Sequence, residues 1–111
     1  MKKVIITGGR DYGDLGMVRE VLDFINPDLV IHGGCTGADD MANEWAIELD
    51  VNRVCYPYLY EYGKAGGPIR NKRMCEEHPD AIVIAFPGGK GTESCVREAV
   101  KLNRIVLRVE K

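Results

Sequence analysis

The sequence predicts an α/β fold: a single Rossmann-like domain on a five-stranded parallel sheet of order 3-2-1-4-5, with helices on both faces. Three observations carry this reading. Five β-branched runs alternate with four segments of helical periodicity, the connections between them are short, and three of the strands end in glycine-rich turns. Strict alternation with short connections calls for parallel strands joined by right-handed crossovers.

The strand runs are 3–7, 28–32, 52–56, 80–86 and 104–109, each read as buried. The first helix, 14–25, carries Leu15, Val18, Val21, Leu22 and Ile25 on one face, with Asp14 as N-cap and Asn26-Pro27 as its stop. The second, 38–49, turns Met41, Ala42, Trp45, Ala46 and Leu49 to the sheet, and Thr36 or Asp39 would cap it. The third begins near Pro68 and stops before His78-Pro79. The fourth, 92–102, points Val96, Ala99 and Val100 inward. Only the stretch 57–67, with Gly63, Gly66 and Gly67, is too long for a simple turn, and irregular loops of this kind often carry function.

The 111 residues suffice for one core, hence one domain over 1–111. A net charge of −2 argues against nucleic acid as the main partner, which would need a basic face, and leaves room for a small anion held by local donors. No apolar run approaches the roughly 18 residues that span a bilayer. The opening residues reach Gly8 too soon for a signal peptide, so the expected location is the cytoplasm, with no membrane partner. Cys35, Cys55, Cys75 and Cys95 fall on a loop, a strand and two helices. With no CxxC pair and no histidine at ligand spacing, reduced thiols are expected and no metal or cofactor is assigned.

The chemistry is expected at the carboxyl edge of the sheet, where the glycine turns must gather. They are Thr7-Gly8-Gly9-Arg10-Asp11, then Gly33-Gly34-Cys35-Thr36-Gly37-Ala38-Asp39, and Pro87-Gly88-Gly89-Lys90-Gly91-Thr92. Glycine lets backbone approach a ligand closely, and the free N–H groups of each following helix favour an anion. A 3-2-1-4-5 order keeps strands two, one and four adjacent, whereas 2-1-3-4-5 would part the last turn from the others. The standard fingerprints are missing: no GxGxxG follows the first strand, and Lys90 is followed by Gly91 rather than by Ser or Thr as a P-loop requires.

Together with Gly67-Pro68-Ile69-Arg70-Asn71, these turns resemble the SLOG superfamily, in particular its YspA-like branch related to the YpsA proteins. The resemblance spans nearly the whole chain and implies a Rossmann-like nucleotide-binding fold. It also extends to the LOG family, whose members release a free base from nucleoside 5′-monophosphates through a PGGxGTxxE motif. Pro87, Gly88, Gly89, Gly91 and Thr92 match that motif, and Cys95 stands where its glutamate would be. Glu93 lies two residues earlier, about 200° around a helix, and does not replace it. LOG relatives also pair, which implies a homo-oligomer, most simply a dimer.

The resemblance places an arginine at Arg70, and a guanidinium fork suits a phosphate; the competing reading is a solvated helix face shared with Lys72 and Arg73. Asp39 and Asp40 stabilise a helix start by their charge; Asp39 turned into the crevice would instead accept a ribose hydroxyl or act as acid or base. Arg70 and Asp39 are thus the candidate catalytic pair, with Asn71 beside them among the nucleotide contacts. Tyr56, Tyr58, Tyr60 and Tyr62 alternate as on an extended segment, giving either an interface or a surface on which a base stacks. Trp45 reads as core, and His78 as a cation at a helix end. The expected ligand is a small nucleotide, hydrolysed at its N-glycosidic bond or bound unchanged as a signal; single-stranded DNA, suggested by the superfamily's DNA-processing branch, fits the acidic balance worst.

Overall fold

The computed structural model describes residues 1–110. Its strands are β1 (Lys3–Thr7), β2 (Leu29–His32), β3 (Asn52–Cys55), β4 (Ile82–Ala85) and β5 (Val106–Arg108), and its helices α1 (Leu15–Ile25), α2 (Ala38–Glu48), α3 (Gly66–Glu77) and α4 (Lys90–Lys101). All strand pairs are parallel, in the order β3-β2-β1-β4-β5. This is the α/β Rossmann-like arrangement that the glycine turns demanded, with β1 at the centre.

The alternation of β1 sorts the core into two layers. Val4 and Ile6 pack with Val30 and Ile84 under Val18 and Leu22 of α1 and Trp45 of α2. Ile5 points the other way, with Ile31 and Val83, against Met74 and Cys75 of α3 and Cys95 and Ala99 of α4. On the first face Trp45 Nε1 donates to Asp23 Oδ1 at 2.8 Å, which ties α2 to α1 without leaving the indole N–H unpaired. Asp14 caps α1 as expected, accepting from the Met17 N–H at 3.0 Å, and Asn26 ends it in the left-handed region at φ 53°.

Several expectations fail at the periphery. Every residue of β3 is exposed and two of the three in β5 are, because these are the sheet edges and the helices cover mainly its centre. Leu49 and Val100, expected inward, are 55% and 61% exposed. Leu49 is the C-cap of α2 and Val100 sits in the last turn of α4, where each helix has run past its contact with the sheet. The tyrosine alternation is broken by a 3-10 helix, Tyr60–Ala65: Tyr58 and Tyr60 pack ring on ring at 4.8 Å, while Tyr56 turns to Glu77 and Tyr62 to Arg73.

Leu22 is fully buried and Phe24, two residues on, is 90% exposed. Leu22→Ala is expected to lower unfolding stability by about 2–5 kcal/mol through a cavity at the α1–sheet contact. Phe24→Ala should change it by less than about 0.5 kcal/mol, both measured by urea denaturation.

Candidate functional site

The turns after β1, β2 and β4 meet the heads of α3 and α4 around a cleft of about 490 Å³ at the carboxyl edge of the sheet. The first turn contributes Thr7, Gly8, Gly9 and Arg10, and the second Gly33, Cys35 and Asp39. Gly67, Pro68, Arg70 and Asn71 come from α3; Gly89, Lys90, Gly91, Thr92 and Ser94 from the start of α4; Tyr58 and Lys64 from the 57–67 stretch. Asp11, Gly34, Thr36, Gly37, Ala38, Pro87 and Gly88 stand outside this lining.

The glycines split into two groups. At Gly37, φ is +81° and a Cβ would fall on the Gly9 carbonyl. At Gly88 it would fall on Thr92 Oγ1. These glycines let the turns pack on one another, and the Gly9 N–H seals the contact on the Pro87 carbonyl at 2.9 Å. Thr36 belongs to the same packing, its Oγ1 donating to the Arg10 carbonyl at 3.3 Å rather than capping α2. Gly89 and Gly91 differ: a Cβ on either would meet nothing within 4 Å, so their backbone lies open.

Arg70 and Asp39 come together at Gly33. Asp39 Oδ2 accepts from the Gly33 N–H at 3.0 Å and the Cys35 N–H at 3.3 Å, so it folds back onto its own turn and leaves α2 without a side-chain cap. Arg70 is 8% exposed, not on a solvated face. Its Nη1 donates to the carbonyls of Gly33 at 2.8 Å and Tyr56 at 3.1 Å, and its Nε to Asn71 Oδ1 at 2.8 Å. Every parallel fork of a guanidinium uses Nε or Nη1, so a bidentate phosphate grip is closed to it. Only Nη2 donates to no group among the described residues. Burial raises the Asp39 pKa above 3.8, against the pull of the Cys35 N–H, His32, the Gly33 N–H and Arg70.

Asn71 links this pair to α4: its Nδ2 reaches the Gly91 carbonyl and Ser94 Oγ, each at 3.4 Å. Among the described residues α2, α3 and α4 have no side-chain N-cap, whereas α1, which starts outside the cleft lining, has one. Thr92, in the first turn of α4, is 3% exposed and its Oγ1 has no partner among the described residues. Four cations, Arg10, Lys64, Arg70 and Lys90, face one carboxylate, Asp39, in the lining. A buried hydroxyl without a partner and an uncapped helix start are groups that an anion would satisfy. No group of three potential metal ligands occurs among the described residues.

Residues 2–58, which include the first two glycine turns, match the model of the YspA, cpYpsA-related SLOG family. Across 117 aligned positions the chain is 34% identical to the Gene 61 protein of Mycobacterium phage D29, covering 91% of this chain and 90% of the phage protein. This chain belongs to the SLOG family. Family membership supports a nucleotide-related function. The crystal structure of TM1055 superimposes with a TM-score of 0.71 at 21% identity, covering 96% of this chain and 72% of that one. DNA processing protein A from Streptococcus pneumoniae gives 0.56 at 16% identity, and this chain spans 58% of it. Both likenesses show the shared fold.

In this SLOG protein Cys95 is fully buried behind the cleft, and its hydrogen bond with Cys75 together with burial pushes its thiol pKa up. It therefore offers no acid or base in place of a glutamate. All four cysteines are free. Tyr56 turns away from the lining, its hydroxyl on Glu77 at 2.5 Å, and burial with that bond raises its pKa to about 12. Tyr58 alone of the four tyrosines borders the cleft, fixed to the Gly63 carbonyl at 2.7 Å. His78 is held below its ordinary pKa by burial and Lys3, so the cation expected at the end of α3 is disfavoured. Sequence reasoning assigned no ligand contact to Ile6, Cys35, Lys64, Gly67, Pro68, Met74 or Ser94, which also line the cleft. Cys35 and Gly67-Pro68 lie inside the quoted motifs, and the position of Lys64 just before Gly66-Gly67 was a further signal.

A raised Asp39 pKa means that the native state holds the proton more tightly than the unfolded chain. The contribution of Asp39 to stability is then full below the ordinary carboxylate value and lost as pH rises through the raised one. The isosteric, uncharged Asp39→Asn is expected to melt no lower than the parent at neutral pH, with its advantage shrinking as the pH is lowered into the carboxylate range. A lower melting temperature at neutral pH would contradict this.

Proposed function

We propose that this SLOG protein binds a nucleotide through its phosphate, seated at the start of α4, with the ribose towards Asp39. The observation that carries the reading is Thr92: a buried hydroxyl without a partner, at a helix start whose neighbours Gly89 and Gly91 are open. Backbone N–H groups there would receive phosphate oxygens and the helix dipole would favour their charge. Asp39 Oδ1, which makes no hydrogen bond among the described residues, is available to a sugar hydroxyl. Thr7, Gly8, Gly9 and Arg10 line the cleft beside it.

A second reading, hydrolysis of the N-glycosidic bond, is favoured by one observation: Asp39 is the one carboxylate in the described lining, and burial makes it a stronger proton holder than an ordinary aspartate. A carboxyl group of raised pKa can protonate a departing base. With Cys95 buried in the glutamate position, we favour binding without turnover. Chromatography of a nucleotide panel after incubation with the protein separates the two, since release of free base would establish hydrolysis.

Thermal denaturation with AMP and related nucleotides tests binding: a ligand at about 100 times its Kd adds roughly 2.7 kcal/mol. Thr92→Val keeps the shape and removes the hydroxyl, and should weaken binding about tenfold, the scale of one hydrogen bond to a charged group. If no nucleotide raises the melting temperature of the parent, the reading fails.

A further inference from the structure

The outer edge of β5 is open. The Ile105 carbonyl accepts from the Val83 N–H and the Val109 N–H donates to the Ala85 carbonyl, both at 2.9 Å, so the extended backbone runs from Ile105 to Val109 and its odd-numbered residues bond to β4. In a parallel ladder the residues between them turn their N–H and C=O away from that neighbour. Val106 and Arg108 therefore present donors and acceptors that pair with no group among the described residues. An exposed edge of this kind is a template for another strand.

Its side chains leave this edge unguarded. Ile105 and Leu107 are 69% and 45% exposed and share a face with Val109, which packs on the α1 side. Arg108, the one charge within β5, points to the other face and is neutralised by Glu93 of α4 at 2.9 Å. The opposite edge, β3, begins with Asn52 and Arg53 and runs into Pro57, the polar and proline devices that keep an edge unpaired.

Charge selects the register. An edge that pairs with its own copy about a two-fold axis does so antiparallel, and the axis sets which residues stand opposite. Centred on Val106, the axis would set Arg104 against Arg108; centred on Arg108, it would set that arginine against itself. Centred on Leu107, the midpoint of the extended stretch, it sets Leu107 against Leu107, Ile105 against Val109 and Arg104 against Glu110. In this register Val106 of one copy and Arg108 of the other exchange both N–H···O bonds, twice by symmetry, and the Leu107 pair falls where side chains come closest.

We propose that two copies of this chain pair edge to edge through β5, antiparallel and centred on Leu107, into one continuous sheet. The antiparallel pairing leaves the two clefts at opposite ends of the joined sheet, since each lies at the carboxyl edge of its own strands.

Sedimentation velocity of the full chain at about 100 μM is expected to show a dimer of the 12.3 kDa chain. Leu107→Lys sets like charges at the axis and should sediment as a monomer at the same concentration, with the melting curve of the parent because the site is exposed. Glu110→Arg, at an exposed position just beyond β5, turns two attractions per dimer into repulsions and should raise the dissociation constant at least about threefold. The proposal is overturned if the parent is monomeric or if Leu107→Lys leaves the dimer intact. Should that variant lose its fold, an unchanged dissociation constant for Glu110→Arg overturns it instead.

Discussion

Gly33 is gripped from two sides. Its N–H is taken by Asp39 of α2 and its carbonyl by Arg70 of α3, helices that lie on opposite faces of the sheet. A Cβ at this position would fall on the guanidinium, so only glycine lets Arg70 cross beneath the turn. One residue thereby fixes the β2–α2 turn relative to both helical layers, and the cleft wall is built on that junction. Arg70 is held in its buried place by two carbonyls and the Asn71 amide oxygen, and two backbone donors offset part of the burial cost of Asp39.

That junction explains why the rest of the edge remains unsatisfied. With Asp39 occupied by its own turn, α2 starts without a cap, and α4 starts with lysine and no capping side chain, whereas α3 continues from the 3-10 helix, whose Gly63 carbonyl takes the Gly66 N–H. A missing cap costs about 1 kcal/mol per helix, and an orphan hydroxyl such as Thr92 Oγ1 adds to that. The helix whose start lies outside the cleft lining, α1, keeps its Asp14 cap. Local rules of stability are broken on the side of the molecule where a ligand would restore them, which is where natural folds concentrate such violations.

The sheet order and most of each element were legible because they follow from periodicity and from three glycine turns that must share an edge. Exposure was not legible at the margins. A β-branched run reads alike at the centre and at an edge, so β3 and β5 looked buried, and helical spacing does not reveal where α2 and α4 outrun the sheet, so Leu49 and Val100 looked inward. Within the site, sequence supplied residue types but not partners. Arg70 read as a phosphate fork because its acceptors, the Gly33 and Tyr56 carbonyls, are backbone groups that leave no trace in sequence. Asp39 read as a cap because capping is local, whereas its actual partners lie four and six residues back on the same turn.

The charge distribution narrows the ligand further. The chain as a whole carries −2, yet its cleft sets four cations against one carboxylate. A concave, low-dielectric wall of one sign concentrates counter-ions locally, while the acidic remainder repels anything anionic that extends beyond the cleft. A compact polyanion that ends within the cleft meets only the attractive part of the field. The charge of the cleft thus agrees with the small phosphorylated ligand proposed above, independently of the hydrogen-bond geometry at α4.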